Sequence, residues 1–309
     1  MDTSKESSLI TPLPPDSYVD SVVDPGLIEA PASSAVELSP DNPPWGVLTA
    51  VLAWLGSVVL LLGVQFLVII PYVLYRYRGT GFEDVGQSIL KDPTAILLSV
   101  LSTIPAHILT LGLVWAVVTG YGKRPFWPTL GWGWSREIGP WKSIGLAVLV
   151  LMAGGVLTQL VGGEETAVDQ IVASSTAARL AIAVLATATA PLVEEMIYRG
   201  LLYSALQRVT GVVWAVIVVS FLFTFVHVFQ YSNNLGVIAA ITIFSLSLTL
   251  MRAYTGRLLP CYVMHLVFNG IQSVGIIFGP YMQRNSSSGG GEQKAAVVHA
   301  VMHLLKHLI

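Results

Sequence analysis

The chain has 309 residues, of which 54% are hydrophobic and only 11% are charged, and its mean hydropathy is +0.70. Soluble domains average about 25% charged residues, so the composition excludes an ordinary soluble domain and predicts a polytopic protein in a lipid bilayer. The few basic residues are scattered, which argues against a nucleic-acid partner. A single cysteine, Cys261, excludes an intrachain disulfide and a cysteine-based metal cluster.

Residues 1–44 differ in composition from the rest of the chain. They are rich in proline and acidic residues, and Lys5 is their one basic side chain. Low hydrophobicity with net negative charge predicts a disordered tail.

The rest of the chain alternates long apolar segments with short polar ones. A helix that crosses a bilayer needs about 20 mostly apolar residues, so we predict an all-α polytopic transmembrane bundle of seven or eight membrane helices. The predicted spans are residues 45–75, 94–119, 141–161, 178–207, 212–229, 235–251 and 258–278. We divide them into an N-terminal part, residues 45–140, with a tryptophan-rich interfacial loop at residues 120–140, and a second part, residues 141–280.

Residues 281–309 form a C-terminal extension with a Ser/Gly-rich linker and a short amphipathic helix. His299, His303 and His307 recur every four residues of this helix and share one face. A metal site is one interpretation. We favour the polar face of an interfacial helix, because these histidines have no acidic partner nearby.

The fourth predicted span carries charges that an apolar helix does not ordinarily tolerate. A charged side chain at the bilayer centre costs roughly 2.5–3.5 kcal/mol on insertion scales and usually faces a bundle interior or a wet cavity. Glu195 and Arg199 are four residues apart and share one face. Glu194 points about 100° away. We therefore expect one structural carboxylate and one that is free for chemistry. A purely structural ion pair near Pro191 leaves Glu194 unexplained.

Two later spans carry the other deep polar side chains. His227 lies one turn after Phe223, and His265 and Asn269 share a face. Each alone is adequately explained by packing or by hydrogen bonds between helices. Together with Glu194 they form a set in which a carboxylate or a metal activates water and polar donors stabilise an oxyanion. His107 has no carboxylate nearby in sequence and His303 lies in the C-terminal extension, so we expect that neither His107→Ala nor His303→Ala abolishes activity.

The three patterns Glu-Glu-x-x-x-Arg, Phe-x-x-x-His and His-x-x-x-Asn, in this order, resemble the CPBP family of CAAX proteases and bacteriocin-processing proteins, also called the Abi family. The resemblance covers about residues 141–280 and implies a CAAX-protease-like intramembrane endopeptidase core. It implies that Glu194 with His227 activates water and that His265 with Asn269 stabilises the oxyanion. Glu195 and Arg199 would hold the helix or the substrate carboxylate.

The resemblance leaves the chemistry of water activation open between two mechanisms. One depends on glutamate without a cofactor, and the other uses zinc held by Glu194, His227 and His265. We favour the first. The expected partner is a peptide or membrane-protein substrate, and the expected location is the bacterial cell (inner) membrane.

Two other classes of protein compete with the protease. One is a non-catalytic bacteriocin-immunity or scaffold protein on the same fold, which has no need for an unpaired Glu194. The other is a proton-coupled transporter, a class that often shows two related halves. The sequence shows no internal repeat, so we rank the transporter last.

Overall fold

The structure is a computed structural model that describes residues 39–287, with the backbone alone for Phe82 and residues 281–287. The predicted C-terminal helix with its three histidines lies outside the described residues, as does most of the predicted tail. In chain order the helices are α1 (Val47–Arg76), α2 (Phe82–Ile89), α3 (Pro93–Leu101), α4 (Thr103–Thr119), α5 (Phe126–Thr129), α6 (Pro140–Val161), α7 (Ala167–Ser174), α8 (Thr176–Ala188), α9 (Ala190–Glu195), the π-helix Met196–Leu202, α10 (Tyr203–Tyr231), α11 (Leu235–Thr255) and α12 (Leu259–Ser287). No β-sheet forms between residues 39 and 287, so the all-α fold class is confirmed.

Six helical stretches are long and apolar enough to cross a membrane. The fourth of them, Thr176–Tyr231, has 56 residues. A straight α-helix of that length would measure about 84 Å, whereas the apolar part of a bilayer is about 30 Å thick. Gly211 interrupts the stretch with φ 79° and ψ 166°. This break lies between the predicted fourth and fifth spans. The helical membrane bundle is confirmed, and the number of crossings stays a prediction.

A polar clamp connects the end of α1 to the start of α3. Asp92 Oδ2 accepts hydrogen bonds from the hydroxyls of Tyr72 at 2.7 Å and Tyr77 at 2.9 Å. Its Oδ1 caps α3 by accepting from the backbone N–H groups of Thr94 and Ala95. Partial burial alone would raise the pKa of Asp92, but these hydrogen bonds outweigh it, so the pKa lies below its ordinary value.

The membrane core is built by α11 packing on α6 and α10, and by α12 packing on α6 and α8. Small residues allow the close approach. A Cβ on Gly236 would lie 2.9 Å from the Cα of Thr158, and one on Gly154 would lie 3.2 Å from the Cβ of Ala240. Close contact of backbones through small residues is a principal source of helix association in membranes.

The tryptophan-rich loop packs partly against the core, in addition to any interfacial role. Leu130 is buried, and its side chain lies over Gly200, where a Cβ would come within 2.9 Å of it. The backbone N–H of Leu258 donates to the Gly131 carbonyl at 3.0 Å. The Trp132 ring also contacts the core through an aromatic neighbour on α12. The loop therefore holds the π-helix from one side.

Residues 39–44, which composition assigns to the tail, make specific contacts with the bundle. Arg252 on α11 is buried, and its Nη1 lies 2.8 Å from Asp41 Oδ1. Its Nη2 donates to the Pro40 carbonyl at 2.9 Å. A buried guanidinium needs such acceptors. Residues that precede the first membrane helix thus pack against the bundle.

We expect Asp41→Ala to destabilise the protein by about 1–3 kcal/mol, because it removes a charged hydrogen-bond partner from a buried arginine. Thermal unfolding in detergent measures the effect as a lower Tm. Glu165→Ala is the matched control, since Glu165 is exposed and its removal should leave Tm within error. Equal Tm values for the two variants would show that the contact at Arg252 contributes nothing to stability.

Candidate active site

A cavity of about 400 Å³ lies within the bundle. Four of the six predicted site residues line it, namely Glu194, His227, His265 and Asn269. Helix α9, helix α10 and helix α12 bring them together from sequence positions far apart. The remaining two, Glu195 and Arg199, are fully buried and are not among the residues that line the cavity.

Glu195 and Arg199 form a buried ion pair one turn apart. Arg199 Nη1 donates to Glu195 Oε1 at 3.0 Å, and both side chains have no exposed surface. The second oxygen of Glu195, Oε2, is buried and has no hydrogen-bond partner among residues 39–287. The opposite charges of Glu195 and Arg199 therefore neutralise each other, while Glu195 Oε2 stays without a hydrogen-bond donor.

Arg199 also ties the π-helix to α11. Its Nη2 donates to the Ser245 hydroxyl at 2.8 Å and to the Ser245 carbonyl at 3.1 Å, and its Nε donates to the Thr249 hydroxyl. The guanidinium also lies 4.6 Å from the centre of the Phe223 ring, a geometry that attracts cations. These contacts occupy the guanidinium, so Arg199 holds helices together here.

Glu194 has a different environment from its neighbour. Its side chain retains 24% of its exposure, lines the cavity and lies with Oε2 3.7 Å from His265 Nε2. That distance fits an ion pair but is too long for a hydrogen bond. Glu194 is thus a carboxylate that reaches open space inside the bundle.

His265 lies between the two glutamates and is almost fully buried. Its Nδ1–H donates to Glu195 Oε1 at 2.8 Å, and its Nε2 faces Glu194. In the protonated ring both nitrogens carry hydrogen, so each could donate to a carboxylate or to a developing negative charge. The ring orientation is fixed by Glu195, which in turn is fixed by Arg199.

His227 is oriented by its own helix. Its Nδ1–H donates to the Phe223 carbonyl at 2.7 Å, and its ring stacks on Phe223 with centroids 4.7 Å apart. Because Nδ1 carries the proton, Nε2 of the neutral ring has a free lone pair. The ring lines the cavity with that nitrogen unengaged.

Asn269 is held in place by helix α8. Its side-chain nitrogen, Nδ2, donates to the Ala186 carbonyl at 2.8 Å. An amide nitrogen has two hydrogens, so one N–H of Asn269 remains for another acceptor.

The polypeptide that carries Glu194 and Glu195 leaves the α-helical pattern directly after them. Residues Met196–Leu202 form a π-helix, a rare element that is frequent at functional sites. Two tryptophans from the start of the bundle support it. Trp45 donates through Nε1 to the Leu201 carbonyl at 3.2 Å, and Trp54 donates through Nε1 to the Tyr198 hydroxyl at 3.1 Å. No motif in the sequence indicates this π-helix.

His107 also lines the cavity, although the sequence pattern separates it from the site. Its position depends on the packing of α4 beside α9, which no local spacing reveals. Its Nδ1 lies 2.8 Å from the Thr189 hydroxyl, just before α9 begins. The sequence did contain one signal for its role, because a polar residue deep in an apolar membrane helix indicates a functional site.

The structure does not assemble the three predicted zinc ligands. Within the part of the chain that the structure describes, no three His, Cys, Asp or Glu side chains are arranged to hold a metal ion. His227 and His265 each have Nδ1 held by an acceptor, an arrangement common for metal-binding histidines. Glu194, His227 and His265 nevertheless do not fit a zinc site in this conformation.

The fold and the cavity define an integral, multi-pass helical membrane protein with ionisable groups inside the bundle. Residues 176–271 match the family described as type II CAAX prenyl endopeptidase Rce1-like. This match confirms the resemblance to the CPBP family over the segment that carries all three motifs. The matched family is one of CAAX-protease-type intramembrane endopeptidases. No curated protein and no solved structure matches the chain.

We expect Arg199→Met to destabilise the protein by about 3–5 kcal/mol, because it removes the arginine that pairs with the buried Glu195 carboxylate. The double variant Glu195→Gln with Arg199→Met removes both charges and should recover a large part of that loss. The amount of folded protein in membranes and Tm in detergent measure both effects. A double variant as unstable as Arg199→Met would show that the loss does not come from the unpaired charge.

Proposed function

We propose that the protein is an intramembrane endopeptidase that hydrolyses a peptide bond of a peptide or membrane-protein substrate with water activated by Glu194 and His227. The observation that carries the proposal is the difference in environment between the two adjacent glutamates. Glu195 is paired with Arg199 and sealed from the cavity, whereas Glu194 reaches the cavity beside two histidines.

Water activation is the first step of the proposed mechanism. Glu194 accepts a proton from a water molecule as the water oxygen attacks the substrate carbonyl carbon. The free Nε2 of His227 accepts a hydrogen bond from the second O–H of that water and orients it, and this hydrogen stays on the water oxygen. The C–O bond forms as the carbonyl π electrons move to oxygen, which gives a tetrahedral oxyanion.

Stabilisation of this oxyanion is assigned to His265 and Asn269. Protonated His265 offers an Nε2–H, and Asn269 offers the N–H that is not used on Ala186. Preorganised donors in a site with little water stabilise charge strongly, since they need no reorganisation. One such donor is worth about 3–4 kcal/mol of transition-state stabilisation in other hydrolases.

Collapse of the intermediate completes the reaction. The C–N bond breaks as the carbonyl re-forms, and the proton held by Glu194 passes to the leaving nitrogen. The products are one chain with a new carboxylic acid group and one with a new amine. Glu194 is regenerated as a carboxylate, so it serves first as base and then as acid.

The proposed substrate is a peptide segment within or beside the bilayer, because the cavity lies inside a membrane bundle and the matched family is a protease family. We propose the bacterial cell (inner) membrane as the location. Fractionation of the cells that produce the protein tests that part directly.

Glu194→Gln and His227→Ala should each reduce cleavage by about 100-fold or more, since each removes a group that transfers or orients the proton. New peptide termini are compared in membranes from cells with the intact protein and with each variant, at equal protein levels. Glu165→Ala is the control for loss of a carboxylate outside the cavity and should preserve every terminus.

Cleavage that persists in Glu194→Gln would contradict the proposed mechanism. A set of termini that is the same with and without the protein, while a phenotype still depends on the protein, would favour the non-catalytic immunity or scaffold function.

We further propose that the reaction needs no metal, because the three candidate ligands do not form a coordination site. Activity should therefore survive dialysis against a strong chelator, measured on the purified protein with its zinc content determined in parallel. Stoichiometric zinc, with activity lost on chelation and restored by zinc, would overturn metal independence while leaving the protease proposal intact.

A further inference from the structure

The His107 ring is held at Nδ1 and has one unengaged polar atom, Nε2. The Thr189 hydroxyl lies 2.8 Å from His107 Nδ1 and 3.3 Å from the Leu185 carbonyl, and we assign its single hydrogen to that carbonyl, so that it accepts from His107 Nδ1–H. The neutral ring then carries a free lone pair on Nε2. The ring lines the same cavity as Glu194. His107 thus brings a hydrogen-bond acceptor into the cavity.

His107 continues a polar line along one face of α3 and α4. Ser99, Thr103 and His107 all line the cavity and follow one another at intervals of four residues. Ser102, at the junction of the two helices, keeps right-handed helical dihedrals, so the face stays continuous. Positions four apart on a helix are separated by about 6 Å along its axis.

An extended peptide has a matching repeat along one edge. Its backbone N–H and C=O groups face the same side every second residue, which corresponds to about 6.6–6.8 Å. A backbone N–H that enters an apolar cavity without an acceptor is strongly unfavourable. The other polar groups assigned to the reaction are occupied with water or with the oxyanion, which leaves the substrate N–H groups in need of acceptors.

We propose that His107 is a substrate-binding residue whose Nε2 accepts a hydrogen bond from a backbone N–H of an extended peptide in the cavity. Thr103 and Ser99 continue this contact along the same helix face. This inference rests on the proposed protease function and deepens it by naming a contact with the substrate backbone. His107 lies outside the matched segment, residues 176–271.

The test uses the purified full chain and an internally quenched peptide that spans a cleavage site mapped by the terminus comparison. A series of such peptides carries one backbone N-methyl group each, which removes one N–H at a time. For the intact protein, methylation at one position should raise KM about tenfold, as expected for loss of one hydrogen bond.

Two substitutions separate substrate contact from a structural role. His107→Asn keeps an amide N–H near the position of Nδ1, and so keeps the bond to Thr189, but loses the acceptor at Nε2. It should raise KM about tenfold and leave kcat within about twofold. His107→Gln places an oxygen near the position of Nε2 and should restore most of the affinity.

The effects of the peptide N-methyl group and of His107→Asn on KM should not add, because both remove the same hydrogen bond. In His107→Asn, the sensitive N-methyl position should therefore have no further effect on KM. Full additivity, or a KM in His107→Asn equal to that of the intact protein, would overturn the inference.

A matched pair of threonines tests the helix face. Thr103→Val should raise KM by a smaller factor, and Thr110→Val should not change it, since Thr110 is on the same helix but does not line the cavity. Equal KM values in both variants would remove Thr103 from the proposed contact.

Glu194→Gln in the same assay distinguishes a failure of the proposed protease function from a failure of the assignment of His107. Equal cleavage by the intact protein and by Glu194→Gln would refute the proposed function itself. Cleavage that requires Glu194, together with an unchanged KM in His107→Asn, would leave the protease proposal standing and refute the assignment of His107.

Discussion

The buried polar network of Glu195, Arg199 and His265 is the constraint on which the rest of the site depends. These three side chains have almost no exposed surface, and they join α9 and the π-helix to α12. Arg199 extends the network to α11 through Ser245. Charges in a medium of low dielectric are tolerated only when they are paired and hydrogen-bonded. These four elements, α9, the π-helix, α11 and α12, must therefore meet in one arrangement, and this arrangement fixes the walls of the cavity.

The same constraint explains why two adjacent carboxylates have different environments. Successive residues of a helix point about 100° apart, so a helix that turns Glu195 towards Arg199 must turn Glu194 elsewhere. Here it turns Glu194 to the cavity, where part of its surface stays exposed. Paired titratable groups with contrasting environments are typical of acid–base sites. The contrast in this protein follows from geometry before any chemistry is assigned, because one carboxylate is used to hold His265 and the other is left accessible.

Local sequence patterns predicted those features that depend on local spacing. The apolar segments predicted the membrane helices, and the four-residue spacing of Glu195 and Arg199 predicted their ion pair. Features that depend on packing between distant segments could not be predicted. The contact between Asp41 and Arg252 joins positions 211 residues apart, and His107 reaches the cavity only because α4 packs beside α9. The π-helix could not be predicted either, because the tryptophans that contact it lie on α1 and in the segment just before α1.

The π-helix shows how the N-terminal part of the chain contributes to a site whose motifs all lie elsewhere. In a π-helix the hydrogen-bond ladder shifts by one residue, which leaves local carbonyls in need of other donors. Trp45 supplies one at Leu201, and the Ser204 hydroxyl supplies another at Gly200. An unsatisfied backbone carbonyl inside a membrane is strongly unfavourable, so these donors favour the π-helix over a regular α-helix. Because the π-helix begins directly after Glu195, its register sets where Arg199 meets that carboxylate. The segment just before α1 therefore helps to position the ion pair even though Trp45 contributes no charge to it.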